Sequence, residues 1–173
     1  MESNNIQITD EALQIAAGKG MDEFINVFSD KYLEVIGGNL NSETMGLLNG
    51  YQHSLLGYHF FRNEVMDGGF VQLIQNGYGA YIFDNPFAKA MRLFGAEELS
   101  KLVYKAKKIY DENKEDLMKE RTDEEFMAMY EQYEAFDDLE EAYLNMEEET
   151  TAIIAEYVDN HIEQFGDIIG KVD

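Results

Sequence analysis

The sequence predicts an all-α protein, and three observations carry that expectation. Apolar residues recur at three- and four-residue spacing through most of the chain, and glycines and capping residues punctuate these stretches at helix lengths. No segment alternates apolar and polar residues over the length of a strand. With 173 residues, 45% of them hydrophobic, and 11 Phe, 11 Tyr and 9 Met as bulky filling, the chain can bury a core without disulfides or metal. The expectation is a single compact domain over residues 1–173, built from about seven or eight helices, with an acidic helical C-terminal third.

Thr9 is placed to cap a short helix that begins at Asp10 and ends at Gly18 and Gly20. A second helix fits Asp22 to Ile36, because Phe24, Phe28, Tyr32 and Ile36 recur every four positions and Gly37-Gly38 supplies the stop. Ser42 reads as the cap of a longer helix to about Met66, with Leu48, Tyr51, Leu55, His59 and Val65 facing inward. Gly68 and Gly69 permit positive φ, so the chain can turn sharply before a helical stretch from Phe70 to Asn76, and Gly77-Tyr78-Gly79 reads as loop.

Asp84-Asn85-Pro86 reads as a helix start, with Asp or Asn capping and Pro at the first helical position. That helix ends at Gly95, and the next runs from Ala96 to about Asn113 on a stripe of Leu99, Leu102, Val103, Ala106, Ile109 and Tyr110. Thr122 to Glu125 has the form of a capping box. A last helix is expected from Glu147 to Phe165, with Ile153, Ile154, Tyr157, Val158, Ile162 and Phe165 inward. Tyr78, Tyr81, Phe83 and Phe87 fit either a surface patch or a core.

Charge is the extreme property. The 13 basic and 35 acidic residues give a net charge of −22. Residues 111–173 hold 22 acids and 4 bases, so a soft subdivision falls near 111–122, with the acidic helical part at 120–173. Nucleic acids and anionic membranes are bound through clustered Lys and Arg, so neither is an expected direct partner. There is no Cys, no basic start followed by a signal-length apolar stretch, and no apolar run long enough to span a bilayer, so the expected location is cytoplasmic.

Catalytic and cofactor motifs do not emerge, and no cofactor is expected. The chain has no nucleophile elbow, phosphate-binding Gly-rich loop or dinucleotide fingerprint. His53 and His59 are six residues apart, about 240° around a helix, and cannot form a metal pair; His59 reads as a core residue and His161 as a helix-end residue. Asp111 to Asp116 places Asp116 where a calcium loop needs Gly, so no metal is expected. The least implausible catalytic pair is Glu64 and Asp67, which would make the chain a carboxylate-dependent hydrolase.

The strongest physical signal lies between Glu120 and Glu149, where 13 acids face a single base, Arg121. Phe126, Met129, Tyr133, Phe136 and Tyr143 form an apolar stripe. Glu124, Glu131, Glu134, Asp138, Glu141 and Glu148 fall within about 120° on another side of a continuous helix. Such a row costs a few tenths of a kcal/mol per neighbouring pair in repulsion. It also resembles the line of charge along a nucleic-acid backbone, which the Arg and Lys of a DNA-binding protein could accept. The competing interpretation is a solvated surface that aids solubility.

At residues 58–113 the chain resembles a bacterial domain family named for the C-terminal domain of a DNA-mimic protein and otherwise of unknown function. The resemblance rests on Glu64-Val65, Asp67-Gly68-Gly69-Phe70, Gln72, Asn76, Gly79, Gly95-Ala96 and Ala106. Asp67 stands where the family pattern usually has Asn. The resemblance implies an all-helical fold and binding to a basic protein such as a transcription factor. Asp67, Gly68, Gly69, Phe70, Gln72 and Asn76 are expected to be structural, shaping the turn and the packing beneath it.

Together these readings predict a non-enzymatic acidic interaction module that occupies the nucleic-acid-binding surface of a basic protein. Glu124, Glu131, Glu134, Asp138, Glu141 and Glu148 would be its partner-binding residues. An immunity or antitoxin-type inhibitor of a basic toxin would use the same charge, and a homodimer is compatible with either.

Overall fold

Thr9 Oγ1 accepts a 3.2 Å hydrogen bond from Ala12 N–H and so starts the first helix, α1 (Asp10–Lys19), where its cap was expected. The computed structural model describes residues 6–171. Among these, nine α-helices carry nearly all the regular structure, and the protein is all-α as the sequence predicts. The chain divides into two compact units, residues 1–59 with 151–173, and residues 60–150.

In the first unit α2 (Met21–Ile36) buries Phe24, Phe28, Tyr32 and Ile36, the residues its four-residue period selects. It stops where Gly37 adopts φ 62, and Gly38 N–H closes the helix on Leu33 O at 3.0 Å. Tyr32 OH donates to Phe165 O at 2.6 Å, fixing α2 to the end of α9 (Ile162–Phe165).

Two expectations about this unit need correction. The long helix α3 (Gly50–Gln75) does not begin at Ser42. Asn41 Oδ1 accepts from Glu43 N–H and Thr44 N–H, which holds a local turn instead. The cap is Asn49. Its Oδ1 accepts from Gln52 N–H at 2.8 Å while Gln52 Oε1 accepts from Asn49 N–H at 2.9 Å, a reciprocal box that needs Gln three residues on. The second correction is a short parallel strand pair, β1 (Gln7–Thr9) with β2 (Asp167–Ile169), in the register Ile8 opposite Ile168. Three residues are too few to show alternation.

The second unit contains the later part of α3, then α4 (Gly79–Phe83), α5 (Phe87–Leu93), α6 (Glu97–Leu117), α7 (Asp123–Gln132) and the start of α8 (Asp137–Asn160). Its core is aromatic: Phe61 packs edge-on against Tyr143 at 4.9 Å, Phe70 stacks on Phe136 at 5.2 Å, and Phe83 stacks on Tyr110 at 4.8 Å. Phe83 and Phe87 are buried, and Tyr78 is half-buried with its ring stacked on Phe60 at 4.3 Å.

Pro86 precedes the first turn of α5 instead of occupying it, and neither Asp84 nor Asn85 caps that helix. Asn85 Nδ2 donates back to Ala80 O at 3.1 Å and Tyr81 O at 3.3 Å, closing α4. Asp84 Oδ2 accepts from Tyr110 OH and Lys114 Nζ. Helix α6 runs past Asn113, which departs from helical geometry and donates Nδ2 to Ile109 O at 2.9 Å, and continues to Leu117. The charge step near residues 111–122 lies inside this second unit.

Candidate functional site

The acidic segment opens as expected. Thr122 Oγ1 accepts from Glu125 N–H and Glu125 Oε1 accepts from Thr122 N–H, both at 3.2 Å, completing the capping box of α7. The Thr122 N–H donated to the carboxylate, with the Thr122 side chain beside it, favours the ionised form and holds Glu125 below the usual carboxylate range.

The acidic residues do not share one continuous helix. Tyr133 leaves helical geometry at φ −115, ψ 44, a turn of 3-10 helix follows at Glu134–Phe136, and α8 begins at Asp137. Glu124 and Glu131 therefore stand on α7, Glu134 on the turn, and Asp138, Glu141 and Glu148 on α8. The single 120° face was reckoned on an uninterrupted helix, and Tyr133 breaks that reckoning. Tyr133 OH donates a short hydrogen bond to Asp116 Oδ2, and Arg121 Nη2 pairs with Asp116 Oδ1 at 2.9 Å. The Tyr133 hydroxyl is pushed up to about 12, first by burial and then by this carboxylate. The Tyr133 hydrogen bond, and then Arg121, lower the Asp116 pKa in turn.

What does hold across the break is exposure. All six carboxylates face solvent. Among the described residues none of the six side chains accepts a hydrogen bond or forms an ion pair. The apolar stripe points the other way, with Met129, Tyr133, Phe136 and Tyr143 buried and Phe126 half-buried.

Other acids in the same segment have a different task. Phe136, Glu140, Tyr143 and Glu147 follow one another at helical spacing, so Glu140 and Glu147 lie on the inward seam. Glu147 Oε1 pairs with Arg62 Nε at 2.7 Å, with side-chain exposures of 14% and 21%. Glu140 Oε2 accepts from Phe70 N–H at 2.8 Å. The sequence reading did not separate these two from the exposed set, although their register with Phe136 and Tyr143 carries the signal.

Glu140 meets α3 at its kink. Gly69 adopts φ 75, ψ −170, so the helix is interrupted and a new N-terminus begins at Phe70. Its first N–H groups lack intrahelical acceptors, and Glu140 supplies one from another helix. A Cβ at Gly69 would lie 1.9 Å from Glu140 Oε2, so any larger residue would have to push the carboxylate off Phe70 N–H, and at φ 75 it would also be strained. Burial raises the Glu140 pKa, helped by Asp137 and opposed by the Phe70 hydrogen bond.

The remaining signature residues close the outside of the same kink. Gln72 Nε2 donates to Glu64 Oε2 at 2.8 Å and to Asp67 Oδ2 at 2.9 Å, Asn76 Nδ2 donates to Glu64 Oε2 at 2.9 Å, and Tyr130 OH donates to Gly68 O at 2.7 Å. Glu64 and Asp67 thus share an amide donor and tie the two sides of the turn together. Elsewhere, His53 Nε2 bonds Met45 O at 2.7 Å, and His161 Nδ1 bonds Tyr157 O at 2.8 Å while stacking on that ring; His59 is half-buried. Among the described residues no group of three His, Cys, Asp or Glu is placed to hold a metal ion, and no helix is long and apolar enough to cross a membrane.

The chain thus combines an aromatic helical core, a glycine kink capped by a distant carboxylate, and a set of surface acids without a partner among the described residues. The chain belongs to the family described as DMP19-like protein, whose model matches residues 46–161, a wider span than the signature itself. It is similar to the DNA mimic protein DMP19 of Neisseria meningitidis serogroup B, with 32% identity over 129 residues, covering 73% of this chain and 77% of that one.

Proposed function

We propose that this protein is a DNA mimic: a non-enzymatic acidic module that occupies the nucleic-acid-binding surface of a basic protein such as a transcription factor. The observation that carries the reading is that Glu124, Glu131, Glu134, Asp138, Glu141 and Glu148 are exposed and have no hydrogen-bond or ion-pair partner among the described residues, beside the inward Glu140 and Glu147, which are engaged. Side chains that stabilised the fold would be paired. Charges left free repel one another, and a basic partner relieves that repulsion. The similarity to a DNA mimic protein supports the same reading. The role belongs in the cytoplasm, where such a partner meets DNA.

Competition tests it. A DNA-binding protein that co-purifies with this chain from its native cell is mixed with labelled operator duplex and increasing amounts of the chain. The duplex is released in proportion, and direct binding of the chain to the partner, measured without duplex, weakens as salt rises because the contacts are ionic. Formation of a ternary complex that retains the duplex would place the binding surface elsewhere on the partner and overturn the reading.

A further inference from the structure

The two acidic helices repeat one surface pattern. On α7 Glu124, Met127 and Glu131 stand at i, i+3 and i+7, and on α8 Glu141, Leu144 and Glu148 stand at the same spacing. At 100° per residue each trio occupies only about 60° of its helix surface. Every member is exposed, and Met127 and Leu144 are 64% and 54% exposed.

Charge alone does not explain this pattern. Two carboxylates a heptad apart are separated by about 10 Å along a helix axis. One DNA strand presents a charge about every 3.4 Å. The interval on each helix is filled by a large apolar side chain, which a face selected only for solubility would replace with a polar one. A protein that reads DNA in the major groove combines cations on phosphates with apolar side chains on thymine methyl groups. The Glu-Met-Glu and Glu-Leu-Glu rows offer both contacts to one such element.

Resting on the reading above, we propose that α7 and α8 each present an amphipathic docking row, and that the occupant is a basic amphipathic helix of the partner with Arg or Lys bracketing an apolar side chain. Met127 and Leu144 are the apolar anchors. Charge complementarity selects the cations, and the two anchors discriminate among basic helices of equal charge.

Two synthetic helical peptides of equal charge test this, one carrying Arg with Leu between the charges and one with each Leu replaced by Gln. They are titrated calorimetrically into the full chain, into Met127→Gln/Leu144→Gln, and into a variant with Glu124, Glu131, Glu141 and Glu148 changed to Gln. All six positions are exposed, so thermal melts should match wild type or, for the four-Gln variant, lie slightly above it as repulsion is relieved. The wild type is expected to bind the Leu peptide at least about tenfold more tightly than the Gln peptide. The Met127→Gln/Leu144→Gln variant should bind both alike, and the four-Gln variant should lose both. Equal, salt-sensitive binding of the two peptides to wild type would overturn the apolar anchors while leaving the acidic face standing. Binding of neither peptide, or full binding by the four-Gln variant, would overturn the acidic face and the anchors with it.

Discussion

Glu140 Oε2 accepts a 2.8 Å hydrogen bond from Phe70 N–H across 70 residues of sequence, at the point where Gly69 interrupts α3. The bond does for an internal helix start what a neighbouring Ser or Asp does at an ordinary one. It also gives a physical reason for adjacent signature residues: Gly69 leaves room for the carboxylate, and Phe70 both donates its N–H and buries its ring on Phe136.

Gly69→Ala should therefore destabilise twice over. The new Cβ meets the Glu140 carboxylate and the backbone is forced to hold positive φ without Gly, an expected loss of about 2–4 kcal/mol with the cap included. Glu140→Ala removes the cap alone and should cost about 1–2 kcal/mol. Urea melts check both. Equal stability of Gly69→Ala and wild type would contradict the kink geometry.

The pH dependence has a definite sign. The folded-state pKa of Glu140 is raised chiefly by burial, so between the ordinary glutamate value of about 4.3 and that raised value the native state binds more protons than the unfolded one. Its contribution to stability is present below this window and is lost as pH rises through it. Asp116 and Glu125 run the other way, because their lowered pKa values give stability that is lost on acidification. Glu140→Gln isolates the first effect. On going from about pH 7 to about pH 5 the stability difference between wild type and Glu140→Gln should move in favour of wild type. A shift towards Glu140→Gln would mean that the Phe70 hydrogen bond outweighs burial.

Adjacent residues on α8 give an internal control. Glu147→Ala leaves Arg62 largely buried without this carboxylate and should cost about 3 kcal/mol. Glu148→Ala removes an exposed charge and should be neutral or stabilising by a few tenths of a kcal/mol. Comparable losses for the two would show that exposure does not sort the acids as described.

What was legible in the sequence was local. The period of Phe24, Phe28, Tyr32 and Ile36, the Thr9 cap and the Thr122 to Glu125 box each lie within one helix, where short-range sterics and hydrogen bonds decide the outcome. The six acids are exposed, but the single face reckoned for them was not legible, because Tyr133 and the turn after it divide them among α7, the turn and α8. Contacts between distant segments were not legible either. Ile8 opposite Ile168 is a pairing of three-residue strands, and Glu140 at Phe70 looks like any acid in an acidic run until α3 is placed against it. The break at Tyr133 was hidden because the helical apolar period continues through it, while the Tyr133 hydroxyl is fixed by Asp116 from another helix.

Direct DNA binding should be absent. At about 0.15 M salt the pure protein is expected to leave a labelled duplex unshifted, because phosphates need clustered cations and the net charge is −22. A salt-sensitive mobility shift would contradict this.

The most direct measurement of the central claim is the affinity of the co-purifying basic partner for wild type and for a variant with Glu131, Glu134 and Glu141 changed to Gln and Asp138 to Asn. The substitutions remove charge while nearly keeping shape. Relief of repulsion should leave the isolated protein as stable as wild type or slightly more so. Partner affinity should fall by about an order of magnitude or more, with a shallower salt dependence. Unchanged affinity and an unchanged salt slope would show that this face is only solvated, and would contradict the account.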